Sequence, residues 1–391
     1  MAAEFYEWLN LAIRWLHLTT GIAWIGSSFY FIWLDAHLKA VEEGEASGEL
    51  WSVHGGGFYH QQKYALAPAK MPADLHWFKW EAYFTWMSGF AMLVLVYYVG
   101  ARGMLVDPAK AALTPAAAIA IGLGALVAGW LVYDLLCRSA VGANNKLLGA
   151  IWFIFLLAAA WWLDSIFNSR GAYLHIGAMM GTVMAANVFV IIIPNQRKVV
   201  ADLIAGKSPD PALGKAAKQR SLHNNYMTLP VLFIMISHHY PMTYGAARPW
   251  LVLALIGLTG VAVRHVFNLR HRGITSPPVL LLVAVLAIAT VNYVALEKPA
   301  AVAGSATSFT AIEPILAKHC ASCHSPKPTN PAVAAPPLGV VLDTYEHVSA
   351  ASDRIRRVAV DSHIMPLGNP TGMTDAERQK LGDWIAQGKP Q

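Results

Sequence analysis

Charge and cysteine are what this chain is short of. Only 13% of its 391 residues are charged, and the rest divides into a tryptophan-rich apolar body and a tail rich in proline, glycine and alanine. The net charge of +6 is what the loop lysines and arginines of a membrane protein produce, and it implies no nucleic-acid partner. Three cysteines exclude a disulfide framework, since two share one motif and Cys137 stands alone. The start, Met-Ala-Ala-Glu, has neither a basic n-region nor a small-residue cleavage site, so the first apolar stretch is expected to remain as a span. The glycine run Gly55 to Gly57 lacks the Gly-Lys-Ser/Thr ending of a phosphate loop.

Long apolar runs, by contrast, are abundant. Stretches able to cross a hydrocarbon core of about 30 Å occur at 8–34, 80–99, 115–136, 147–164, 172–193, 225–240, 249–266 and 277–296. Basic residues concentrate in loops that stay in the cytoplasm. Placing both termini outside puts most of them inside, among them Lys63, Lys79, Arg197, Lys198, Lys215 and Arg270. Only Arg102, Lys110, Arg170, Arg248 and Lys298 then fall outside before the tail.

The tail carries Cys320-Ala-Ser-Cys323-His324, the attachment motif of a c-type haem. The cysteines form thioethers to the haem vinyls and His324 takes one axial position on the iron. No second Cys/His pair stands at zinc spacing. For the other axial position Met365, in Ile364-Met365-Pro366-Leu367, offers a soft thioether, with Met373 and His363 as competitors. Residues 309–319 read as a helix delivering the motif, 326–337 as proline-rich loop, and Thr374-Asp-Ala-Glu377 as the capping box of a terminal helix. The expected fold is therefore all-α: an eight-helix polytopic membrane domain over 1–296, a linker over 297–308, and a small all-α cytochrome c domain over 309–391. Haem attachment of this kind places the tail, and with it both termini, in the periplasm of a bacterial inner membrane.

The membrane part reads as two four-helix repeats. Trp15-Leu16-His17-Leu18 resembles Tyr173-Leu174-His175-Ile176, and Leu75-His76 resembles Leu222-His223. Parallel repeats are related by an axis along the membrane normal, and sites collect at their interface. Ionisable side chains inside a membrane are costly and are functional candidates by default. Arg14, with His17 one turn on, suits an anion. His17 and His175, facing across the axis, suit a non-covalent haem b or a clamp on a substrate. His238 and His239 end the sixth stretch on the same side. A second constellation, His54 and His60 around the glycine run and then His76, with His223 from the second half, reads as an ordered interfacial loop or as a site. There His76 and His223 would be an inner haem-binding pair.

The segments Gly21-Ile-Ala-Trp-Ile-Gly-Ser-Ser-Phe-Tyr-Phe-Ile-Trp-Leu-Asp35, Val53-His-Gly-Gly-Gly-Phe-Tyr59 and Leu75-His-Trp-Phe-Lys-Trp-Glu-Ala-Tyr83, with the tail pattern Met365-Pro-Leu-Gly-Asn-Pro-Thr-Gly-Met-Thr374, resemble the bacterial membrane-bound urate hydroxylases, the PuuD family. The resemblance extends over the whole chain. It implies an oxidoreductase that converts urate to 5-hydroxyisourate and passes electrons through its cytochrome to a periplasmic cytochrome c or a terminal oxidase. The first span is also loosely similar to that of the small haem-binding protoporphyrinogen oxidases, which favours haem at His17. Arg14, His17, His175 and His54 are the residues expected to carry the chemistry. The competing expectation is a quinol-linked electron-transfer protein without urate chemistry.

Overall fold

The computed structural model describes residues 2–42, 44–64, 67–68, 71–296, 307–331, 333 and 335–391. Most of the expected linker therefore lies outside the described residues. Long helices dominate: α1 (Ala2–His37), α2 (Trp80–Met92), α4 (Pro115–Arg138), α5 (Asn145–Ile166), α6 (Ser169–Ala186), α7 (Ile193–Ile204), α8 (Pro211–Ser237), α10 (Pro249–His271) and α11 (Pro277–Leu296). Two short helices, α3 (Ala101–Met104) and α9 (Pro241–Tyr244), sit in loops at one end of the bundle. Local sequence fixes the starts of several long helices. Thr114, Asn144, Asn168 and Asp210 each accept a hydrogen bond from a first-turn N–H, and Pro115, Pro211 and Pro249 follow their caps, where the missing N–H costs nothing.

Among the described residues, five helical segments are long and apolar enough to cross a membrane: Pro115–Arg138, Asn145–Ile166, Ser169–Ile204, Pro249–His271 and Pro277–Leu296. The last buries none of its side chains, and Leu281, Ile288 and Val291 are largely exposed. A helix this apolar, packed along α10 but with none of its residues buried, has a bilayer as its natural solvent. Among the other stretches expected to span, α1, α2 with its continuation and α8 are helical as well.

Two long helices change pitch. After Met92 and again after Ala186 one turn is π-helical, Leu93–Tyr98 and Asn187–Ile192. The extra residue in such a turn re-aims side chains, here Tyr97, Tyr98 and Asn187.

The helical class is accompanied by one β-hairpin, which the sequence reading treats only as an interfacial loop. Strands β1 (Ala46–His54) and β2 (Gly57–Tyr64) pair antiparallel, with Trp51 opposite His60. Those rings stack 4.2 Å apart, and the His60 Nε2 lies 2.7 Å from Glu49. Gly55 and Gly56 both have positive φ, the requirement of a tight hairpin turn, so the glycine run is explained by backbone geometry.

Beyond the bundle lies a C-terminal unit of α12 (Phe309–His319), α13 (Tyr345–Ala350), α14 (Ser352–Ile355) and α15 (Asp375–Ala386). It has its own apolar core around Ile312, Leu316, Val348, Leu381 and Trp384. The Thr374–Glu377 capping box forms as the sequence indicates. The unit sits on the end of the bundle that carries α3 and α9. Ile364 packs against the bundle core, Ser362 fills the space where a side chain at Gly245 would stand, and the backbones of Gly103 and Gly368 touch.

Candidate functional site

In the C-terminal unit the end of α12 leads into a tight turn: the His324 N–H donates to the Cys320 carbonyl at 2.9 Å. One turn thus presents two cysteine side chains and an imidazole. The His324 Nδ1 lies 3.0 Å from the Val340 carbonyl. A carbonyl only accepts, so Nδ1 carries the proton and Nε2 keeps its lone pair for a metal.

Met365 packs into the same apolar cluster as Cys320, with its carbonyl accepting from Arg378 at 2.6 Å. Its competitor Met373 is fully buried in that same cluster, with its backbone N–H donating to Asn369 at 2.7 Å. His363 turns toward Asp375, 3.7 Å away. Two cysteines and an imidazole with its Nε2 lone pair free, all on one turn, fit covalent attachment of a haem.

Within the bundle the expected residues are spread over several sites. Arg14 is exposed and donates to Asn10 one turn before it. The His17 Nδ1 lies 2.9 Å from the Thr85 carbonyl, and its ring lies over Gly89 of α2, where any side chain would collide with it. His175 is 0% exposed. Its Nδ1 donates to the Gly171 carbonyl at 2.8 Å, its Nε2 accepts from the Tyr98 hydroxyl at 3.2 Å, and its ring lies over Gly122 of α4. The two histidines are thus packed against different helices, and both nitrogens of His175 are taken.

The inner pair meets a similar outcome. His223 is bonded to the Tyr133 hydroxyl at 2.8 Å and to the Asn145 amide oxygen at 3.1 Å, whereas His76 lies exposed against Phe78. Among the described residues no hydrogen bond or ring contact joins them. His54 is exposed at the hairpin turn. His238 and His239 lie ring to ring, 3.9 Å between centroids, at the end of α8.

Other polar groups inside the bundle were not singled out by the sequence reading. Arg220 of α8 is almost fully buried and donates to Asp134 of α4 at 2.7 Å. It lies over the Tyr133 ring and reaches Asn187, which the π-turn aims inward. A buried pair of this kind is stable only when fully hydrogen-bonded, and breaking it costs about 3–5 kcal/mol. Arg264 of α10 is buried as well, donates through Nε to Asn225, and lies over Phe29. Asp134 lies within an expected span, and that position was the available sequence signal. Arg264 carries the same signal, near the end of the 249–266 stretch, whereas Arg220 falls in a helix extension that hydropathy alone reads as loop.

These features define a helical protein whose apolar helices can cross a membrane and whose interior holds charged and imidazole groups. Residues 3–295 match the family described as urate oxidase N-terminal, and the chain belongs to that family. The match ends one residue before α11 does, so the C-terminal unit lies outside it. No curated protein and no solved structure matches the chain significantly.

Proposed function

We propose that this protein is a membrane-bound oxidoreductase that converts urate to 5-hydroxyisourate and releases the electrons through a c-type haem in its C-terminal unit. The observation that carries this reading is the family match, which spans the whole helical bundle and so ties it to urate. Residues 1–296 are then the catalytic membrane domain, with eight spans, and 309–391 a periplasmic cytochrome c domain. Both termini lie on the outer side of a bacterial inner membrane. The acceptor beyond is a periplasmic cytochrome c or a terminal oxidase.

Urate and water give 5-hydroxyisourate, two protons and two electrons. A covalently held haem supplies a one-electron acceptor, so the chain passes its electrons singly. Cys320 and Cys323 would anchor it, and His324 and Met365 would hold its iron. The chain must also hold the urate anion, which a guanidinium does best, and accept protons as electrons leave, the task of a neutral imidazole.

A non-covalent haem b shared by His17 and His175 does not fit the arrangement of those side chains, because neither nitrogen of His175 is available. The same holds for His223.

Anaerobic addition of urate to the purified, oxidised protein is expected to bring up the sharp α-band of reduced haem c within the mixing and turnover time. Reduction by a quinol but not by urate would establish the electron-transfer protein without urate chemistry instead.

A further inference from the structure

A groove of about 470 Å³ opens between α1, α8 and α10. On α1 it is lined by Gly26, Phe29, Tyr30 and Trp33, and on α10 by Arg264, Phe267 and His271. Both sets follow the spacing of one helix face. The α1 set lies inside the Gly21–Asp35 segment that carries the resemblance noted above, and no role described so far accounts for it. Arg264 lies ~22 Å along α10 from Pro249, at 1.5 Å per residue, so the groove is at the end of the bundle remote from the C-terminal unit.

The groove combines a cation with flat apolar walls. Arg264 is 3% exposed. Its Nε donates to the Asn225 amide oxygen, and its guanidinium stands 3.7 Å from the Phe29 ring centroid. Its Nη2 is buried and makes no hydrogen bond. One turn further along α10 the Asn268 amide oxygen is also buried without a partner. The hydrogen-bond and ring partners of this arginine are an amide oxygen and an aromatic face, and among the described residues no carboxylate forms an ion pair with it. A buried guanidinium N–H without an acceptor is costly, and the ligand that removes the cost is an anion. Gly26 leaves open space where another residue would project a side chain.

We infer that this groove binds the urate anion, with its flat ring against the aromatic walls and an anionic edge on the Arg264 Nη2. The inference rests on the urate reading of the bundle and adds where the substrate sits. A quinone headgroup is flat but neutral, and an anionic lipid phosphate is charged but has no π face. Urate alone among the three matches both the walls and the charge. Arg264 takes over the anion-holding role expected of Arg14, which is exposed.

The test is equilibrium dialysis of radiolabelled urate against the full-length protein, kept anaerobic and fully reduced with dithionite so that no turnover occurs. Arg264→Gln is expected to weaken binding about tenfold or more, Arg264→Lys to recover part of the loss, and Phe29→Leu to weaken it several-fold. Covalent haem content should stay unchanged in each. Wild-type affinity in Arg264→Gln overturns the site, as does loss of decylubiquinone binding alone in that variant. Should Arg264→Gln fail to fold, Phe29→Leu and Phe267→Leu decide, and unchanged affinity in both overturns the site. Absence of urate binding to the wild type overturns it too. Urate binding through Arg264 with no haem reduction by urate would leave the site standing and refute the oxidation reading.

Discussion

Glu377 is held at once by the Thr374 N–H, the His319 ring and the Thr374 hydroxyl. These contacts, the backbone one largest, pull its carboxyl down to about 2. A depressed carboxylate stabilises the fold above its unfolded pKa, near 4.5, and the contribution disappears as pH falls through the folded value. The melting temperature of wild type should therefore exceed that of Glu377→Gln at pH 6–7, with the gap closing between about pH 4.5 and 2. Thermal unfolding followed at the haem Soret band measures it, and a pH-independent gap would assign the effect to packing. This capping box is legible in the sequence because its partners are three residues apart. Arg264 is not, because its partners Asn225 and Phe29 come from two other helices.

At the scale of elements, the segment Ser362–Pro370 joins the proposed haem ligand Met365 to the bundle. Ser362 presses on Gly245 and Gly368 on the Gly103 backbone, and Gly368 has positive φ, which a side chain would strain. Gly245→Val would place methyl groups where Ser362 stands, an overpacking cost of about 1–3 kcal/mol relieved by moving the C-terminal unit away. The expected result is slower urate-driven haem reduction in stopped-flow mixing, with urate affinity and covalent haem unchanged. An unchanged rate would show that this contact is not part of the electron path. Neither this docking nor the π-turns that aim Tyr98 at His175 and Asn187 at Arg220 could be read from hydropathy. A π-turn leaves the apolar content of a helix as it was and changes only the direction of its side chains.

Taken whole, the molecule has its aromatic groove at one end and its C-terminal unit at the other. On the proposed reading electrons would have to cross ~22 Å or more of helix, and the bundle holds buried or partly buried tyrosine, tryptophan and histidine, including Trp24, Tyr97, Tyr98 and His175. Because His175 is saturated by Gly171 and Tyr98, His175→Gln should leave the total haem content of the purified protein unchanged. Pyridine haemochromogen assays before and after acid-acetone extraction measure this, and loss of an extractable haem in that variant would restore the paired-histidine site.

The sequence by itself determined the helical class, several helix starts and the Cys320–His324 motif. Each rests on neighbours in the chain or on a hydrophobic run, and both are local properties. Only the tertiary structure decided which polar side chains meet. The histidines that look paired by repeat are separately capped by hydroxyls, amides and carbonyls, while Arg264, one basic residue near the end of an apolar stretch, is set in an aromatic groove by three helices. Burial gives a charge its chemical meaning, and burial is set by residues distant along the chain.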